Sequence, residues 1–141
     1  MLPLRKKMSL KHVALQCNNV EKTMVFYKKV LELELLKTFT LTKVLSKQIF
    51  NVEEQVQAYV FGNRDIVFEI FITKKPLDHG FEHVCIEVDN QEDFVKHCRM
   101  YGVKPLFIER NGKTLLFIKD FSGNLFEVKE KKKDVKETGE K

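Results

Sequence analysis

Two segments of this chain can be laid over one another: "HVALQCNNVEKTMVFY" at 12–27 and "HVCIEVDNQEDFVKHC" at 83–98. Further along each copy, "NRDIVFEIF" at 63–71 lies over "FSGNLFEVK" at 121–129. An internal repeat constrains a fold strongly, because both copies must build the same kind of unit. The first copy reads as a strand over 10–17 and a helix over 20–31, followed by strands over 33–41, 56–61 and 66–72. Asn19 is placed to cap that helix, with Val20, Met24, Tyr27 and Leu31 on one face. The second copy reads as a strand over 83–88 and a helix that Asn90 can cap, with Phe94, Cys98 and Tyr101 on a common face. Strands over 103–109, 113–118 and 124–129 follow. Turns are marked by Gly62-Asn63-Arg64-Asp65, Asn111-Gly112 and Ser122-Gly123-Asn124. The pattern is βαβββ, twice: an α+β chain of two tandem modules. The domain spans 9–130, with module one at 9–74, module two at 81–130, and flexible tails expected at 1–8 and 131–141. The first copy has a longer middle, 42–55, polar enough to read as an inserted loop.

Alternate side chains of a strand share a face. His12, Ala14 and Gln16 point one way and Val13, Leu15 and Cys17 the other; His83, Cys85 and Glu87 oppose Val84, Ile86 and Val88. The apolar sets are the faces that pack on the helices. Each histidine therefore lies on the opposite face, at the start of an equivalent strand. Glu69 and Glu127 interrupt otherwise apolar strands at matching positions, where an isolated carboxylate costs several kcal/mol unless it is paired or bound to a cation. Taken singly, each of the four has an ordinary reading as a half-exposed strand residue. Together they form a set of two imidazoles and two carboxylates, one of each per module, suited to a divalent metal such as Ni, Zn, Co, Mn or Fe.

Charge excludes one class of partner. The net charge is +5, yet residues 1–11 hold four basic groups and no acid, and 129–141 hold six lysines against four acids, so the body between them has a net charge of −1. With no basic stripe on that body, nucleic acid binding is not supported. No apolar run is long enough to span a membrane. Three cysteines without metal-type spacing suit reduced thiols in a cytoplasm.

These residues carry a family resemblance. "LKHVALQCNNVEKTMVFYKKVLELELL", "IVFEIF", "GFEHVCIEVDNQEDFVKHCRMYGVKP" and "LLFIKDFSGNLFEVKE" resemble the vicinal oxygen chelate superfamily, which includes glyoxalase I, the bleomycin-resistance proteins and the extradiol dioxygenases. The resemblance implies a curved mixed sheet built from the paired modules, whose concave side holds a metal. It implies His12, Glu69, His83 and Glu127 as the metal ligands, the set bacterial glyoxalase I enzymes use, within one chain or across a homodimer. It further implies a lyase or isomerase acting on a small molecule with adjacent oxygens through an enediolate, with Glu127 as the base and Glu69 as its counterpart. Gln16, Cys85 and Glu87 become candidates for the substrate pocket, and Phe61, Phe71 and Phe117 for its apolar wall. Gln16 and Thr73 stand where glutathione-using glyoxalases carry Arg and Asn, and Asn111-Gly112 is shorter than their substrate-covering loop. These departures argue against glutathione hemithioacetal as the substrate. The alternative within the resemblance is a bleomycin-resistance-type protein that sequesters a small molecule without catalysis.

Overall fold

The computed structural model describes residues 8–132, so all but residues 8, 131 and 132 of the two expected tails lie outside the described residues. The chain divides into two compact units. Among the described residues, one takes 8–79 and Phe121–Asn124; the other takes Gly80–Asp120 and 125–132.

In the first unit, strand β1 (Val13–Cys17) leads into helix α1 (Val20–Met24), whose last part widens into a π-turn at Val25–Val30. Strand β2 (Glu34–Leu41), helix α2 (Lys43–Phe50), β3 (Val56–Gly62) and β4 (Val67–Ile72) follow. The sheet order is β1-β4-β3-β2, with β1 parallel to β4 and the other pairs antiparallel. The second unit has β5 (Val84–Val88), α3 (Gln91–Met100), β6 (Leu106–Arg110), β7 (Lys113–Lys119) and β8 (Leu125–Glu130). Its order, β5-β8-β7-β6, repeats the first. Two four-stranded mixed sheets of the same topology are what the sequence repeat predicts.

Both predicted caps form. Asn19 Oδ1 accepts from the Lys22 N–H, and Asn90 Oδ1 from the Asp93 N–H, each at 2.8 Å. The buried face of the first helix differs from the expected one. Phe26, Tyr27 and Val30 are its sealed residues, because the π-turn carries the bond from Leu31 N–H to Phe26 O and turns two adjacent rings inward. Tyr27 then stacks on Phe61, with centroids 5.5 Å apart, and leans on Phe68. In α3 the sealed residues are Val95 and Cys98, while Tyr101 ends the helix at its exposed cap.

Segment 42–55 is a correction. It is not an open loop: Thr42 Oγ1 accepts from the Leu45 N–H, α2 follows, and Asn51 closes the helix with φ 58°. Its end is tied down where the Thr73 hydroxyl meets both carboxylate oxygens of Glu54, at 3.0 and 3.1 Å. In the second unit the corresponding strands β6 and β7 are joined by Asn111-Gly112 alone, both at positive φ as a two-residue hairpin turn requires.

Candidate metal-binding site

His12 and His83 each stand one residue before the first strand of their unit, β1 and β5. Each of those strands runs parallel beside the one that carries the glutamate. The register sets Ala14 opposite Glu69 and Cys85 opposite Glu127. In both units the histidine therefore lies two residues before the glutamate's partner, on the same face and diagonal to it, about 7–8 Å away at the backbone. Side chains of this length close that gap. His12 Nε2 is 3.5 Å from Glu69 Oε1, and His83 Nε2 is 3.6 Å from Glu127 Oε1. Exposure matches as well, at 40% and 41% for the two imidazoles and 19% for each carboxylate.

That separation is informative. A charge-assisted hydrogen bond between these groups would lie at about 2.7–2.9 Å, so neither pair is drawn together as a direct bond. Two donors each about 2.1 Å from one ion and 3.5 Å from each other subtend roughly 110°, close to the tetrahedral angle. The donor atoms present thus fit a divalent cation. His83 gives a second sign. Its Nδ1 is 2.9 Å from the Phe81 carbonyl oxygen, which can only accept, so Nδ1 carries the proton. In the neutral ring the Nε2 lone pair is then left facing the Glu127 oxygen, and two acceptors at that range call for a proton or a metal ion between them. Each unit brings its own pair together. Among the described residues no cluster of three or more His, Cys, Asp or Glu side chains is positioned to hold a metal ion.

The neighbouring candidates divide. Cys85 and Glu87 are exposed on the His83 face. Burial, then the Glu127 charge beside it, push the Cys85 thiol pKa up, against a smaller lowering by Lys129. Gln16 is half-buried on β1, and its carbonyl accepts from Asn124 Nδ2 at 2.9 Å. Phe117 is directly opposite Glu127 in the register and Phe71 follows Glu69 by two residues, so both share the ligand face. Phe61 does not: it is sealed against Tyr27 on the helix side, because the β3 register pairs it with Phe68 rather than with Glu69. Sequence reasoning missed Phe39 and Phe50, which lean on Phe71 edge-to-face at 6.2 and 5.6 Å. The spacing of Leu45 and Ile49 within 42–55, behind a threonine cap, was the available signal for the helix that carries Phe50.

The model of the glyoxalase/bleomycin resistance protein/dioxygenase superfamily matches residues 9–128. The chain belongs to that superfamily. No curated protein sequence matches it. Among solved structures, this superfamily member is similar to a glyoxalase family protein from Enterococcus faecalis, with a TM-score of 0.64 and 21% identity over 85% of this chain and 95% of that one. It is also similar to the fosfomycin resistance protein FosX from Listeria monocytogenes, with a TM-score of 0.66 and 15% identity over 89% and 94%. FosX from Mesorhizobium loti gives a TM-score of 0.62 and 14% identity over 86% and 90%. At these identities the likeness is one of fold. The superfamily includes metal-dependent enzymes, and no helix among the described residues is long and apolar enough to cross a membrane.

Proposed function

We propose that this chain is a metal-dependent enzyme of the glyoxalase I type, in which His12, Glu69, His83 and Glu127 are the ligands of a divalent cation, within one chain or across a homodimer. The observation that carries the reading is the equivalence of the two His/Glu pairs, which match in register, face, separation and exposure across a duplicated unit. A protein that only sequesters a ligand has no need of that repeated donor set. Because one FosX structure is described as a complex with Mn(II), Mn(II) is a suitable first ion to load, followed by Ni, Zn, Co and Fe.

The cation, when bound, supplies Lewis-acid stabilisation of negative charge developing on two adjacent substrate oxygens. The chain's own residues do the rest. His12 and His83 orient through their Nε2 atoms, and the Phe81 carbonyl fixes the His83 ring. Glu127 takes the proton from the hydroxyl-bearing carbon of the oxygen pair, leaving an enediolate, and returns it to the former carbonyl carbon while the hydroxyl proton passes to the other oxygen, so the reaction is a proton shift with no net loss of atoms. Glu69 is the pseudo-symmetric carboxylate that can receive or return the proton on the opposite side. Gln16 offers no guanidinium and Thr73 no carboxamide for a tripeptide thiol, which favours a small molecule other than glutathione hemithioacetal as the substrate. A cytoplasmic homodimer completes the reading.

The test is turnover of methylglyoxal with a panel of thiols, and of other vicinal hydroxycarbonyl compounds, by the Mn(II)-, Co(II)- and Ni(II)-loaded chain. Glu127→Gln is expected to lower kcat by about 100-fold or more, the range of a general base. Metal-dependent turnover that survives Glu127→Gln undiminished would remove the assigned base.

A further inference from the structure

We infer that helix α2 makes this site selective for substrates bearing an aromatic ring, with Phe50, Phe71 and Phe39 as the wall that receives it. The inference rests on the proposed role of the His12/Glu69 pair and concerns the first unit alone.

The duplication is broken most in chain length between the second and third strands of each unit. The strands that follow the first helix of each unit are joined by Asn111-Gly112 in the second unit and by 42–55 in the first. An insertion of that length inside a repeated unit calls for a local reason, and long connections tend to carry function. The structure shows where this one goes. Ala14, Glu69, Val60 and Lys37 form one cross-strand row, and Gln16, Phe71, Ala58 and Phe39 form the next. Phe50, the last residue of α2, places its ring 5.6 Å from Phe71 at 64°. Phe39 stands on the same ring at 6.2 Å and 87°. α2 therefore lies on the sheet face that carries Glu69, opposite the face covered by Phe26 and Tyr27.

Phe71, met edge-to-face by Phe39 and by Phe50, makes with them a surface that pairs well with another ring, edge or face. Phe50 remains 51% exposed, so that surface is open to solvent on the sheet face that carries Glu69. Ala14, opposite Glu69, is small and exposed, while Ala58, between Phe71 and Phe39 in its row, is fully buried. The second sheet repeats the theme without a helix. Phe117 lies opposite Glu127, and Leu106, opposite Phe117 on the next strand, is half-exposed. Charge argues the same way against an anionic substrate body. Lys37 is the one cation in the two rows, two strand spacings or about 10 Å from Glu69, and its Nζ lies over the Phe39 ring. The substrate class that fits is an aryl compound with two adjacent oxygens, such as an aryl hydroxyketone.

A matched pair of probes tests this. Benzohydroxamate and acetohydroxamate share one chelating head and differ as phenyl against methyl. Calorimetric titration of the Mn(II)-loaded full chain should give a Kd about 10-fold lower for benzohydroxamate, and Phe50→Ala should remove most of that ratio. Phe50→Leu, which keeps apolar bulk without the ring, guards against a folding artefact and should give an intermediate ratio. Equal affinities in the wild type, or a ratio that Phe50→Ala leaves intact, overturn the inference. So does a Phe50→Ala variant that merely changes oligomeric state in sedimentation, which would make Phe50 a seat for a second copy. Benzamide and acetamide, titrated into the metal-free chain, read the wall without the ion. If benzamide binds and loses affinity in Phe50→Ala while neither hydroxamate shows metal-dependent binding, the metal reading fails and the wall stands. If benzamide and acetamide bind alike and both hydroxamates bind equally, the wall fails and the metal reading stands.

Discussion

At the scale of single residues, the two faces of the first sheet meet two kinds of phenylalanine. Phe61 is sealed beneath Tyr27, whereas Phe50 is half-exposed beside Phe71. Phe61→Ala should therefore destabilise the fold by about 3–5 kcal/mol, the cost of emptying a core aromatic site. Phe50→Ala should cost no more than about 1 kcal/mol, since roughly half of its area is already in water. Urea denaturation of both variants measures the difference, and similar losses would contradict the assignment of faces. The three thiols differ in the same way. Cys17 and Cys98 are buried, with burial pushing the Cys98 thiol up to about 11, and Cys85 is open to solvent. Iodoacetamide should label Cys85 alone in the native chain. Because burial and Glu127 raise its pKa, less thiolate is present at pH 8 than for an ordinary cysteine, and labelling should be slower than for a model thiol and speed up as the pH rises. Mass spectrometry of the labelled peptide checks both statements. The four ligand candidates were legible in the sequence because parity and repetition both mark them: a polar residue at the same place in two apolar strands is a signal that one copy alone would not give. Phe61 was not, because adjacent strand residues face opposite ways and the frame of β3 follows from its pairing with β4, a long-range fact.

At the scale of elements, the caps were readable and the helix interiors less so. Asn19 and Asn90 cap as predicted because an Asx side chain before an apolar-periodic run has few alternatives. The π-turn at Val25–Val30 carries no such mark, and it redirects Phe26 into the core. Segment 42–55 was misread from its polarity. α2 exposes Val44, Leu45 and Ile49, so it has no sealed apolar stripe, and the Thr42 cap with the Leu45/Ile49 spacing is the one mark it leaves in the sequence. Its stability should depend visibly on its ends. Thr42→Ala removes the side-chain acceptor for the Leu45 N–H and should cost about 1 kcal/mol, measurable as protection lost from amide exchange across α2. The hairpin between β6 and β7 offers a second check: Asn111 has φ 52°. Asn111→Ala should destabilise the second unit by about 1 kcal/mol, since alanine resists the left-handed region, while Asn111→Gly should be close to neutral.

At the scale of the whole molecule, the duplication is the organising fact. Each unit alone provides an imidazole and a carboxylate, too few to saturate a divalent cation. A cation that binds the folded chain through these donors should raise its thermal midpoint, by an amount that grows with the ion's concentration. The most direct measurement is the stoichiometry of Mn(II) and Co(II) bound to the full chain at equilibrium dialysis, for wild type, His12→Ala and His83→Ala. A single site made from both pairs predicts one ion per chain, lost in either variant. Two ions per chain, with each variant losing only one, would contradict the shared site, and no bound ion in wild type would contradict the metal altogether.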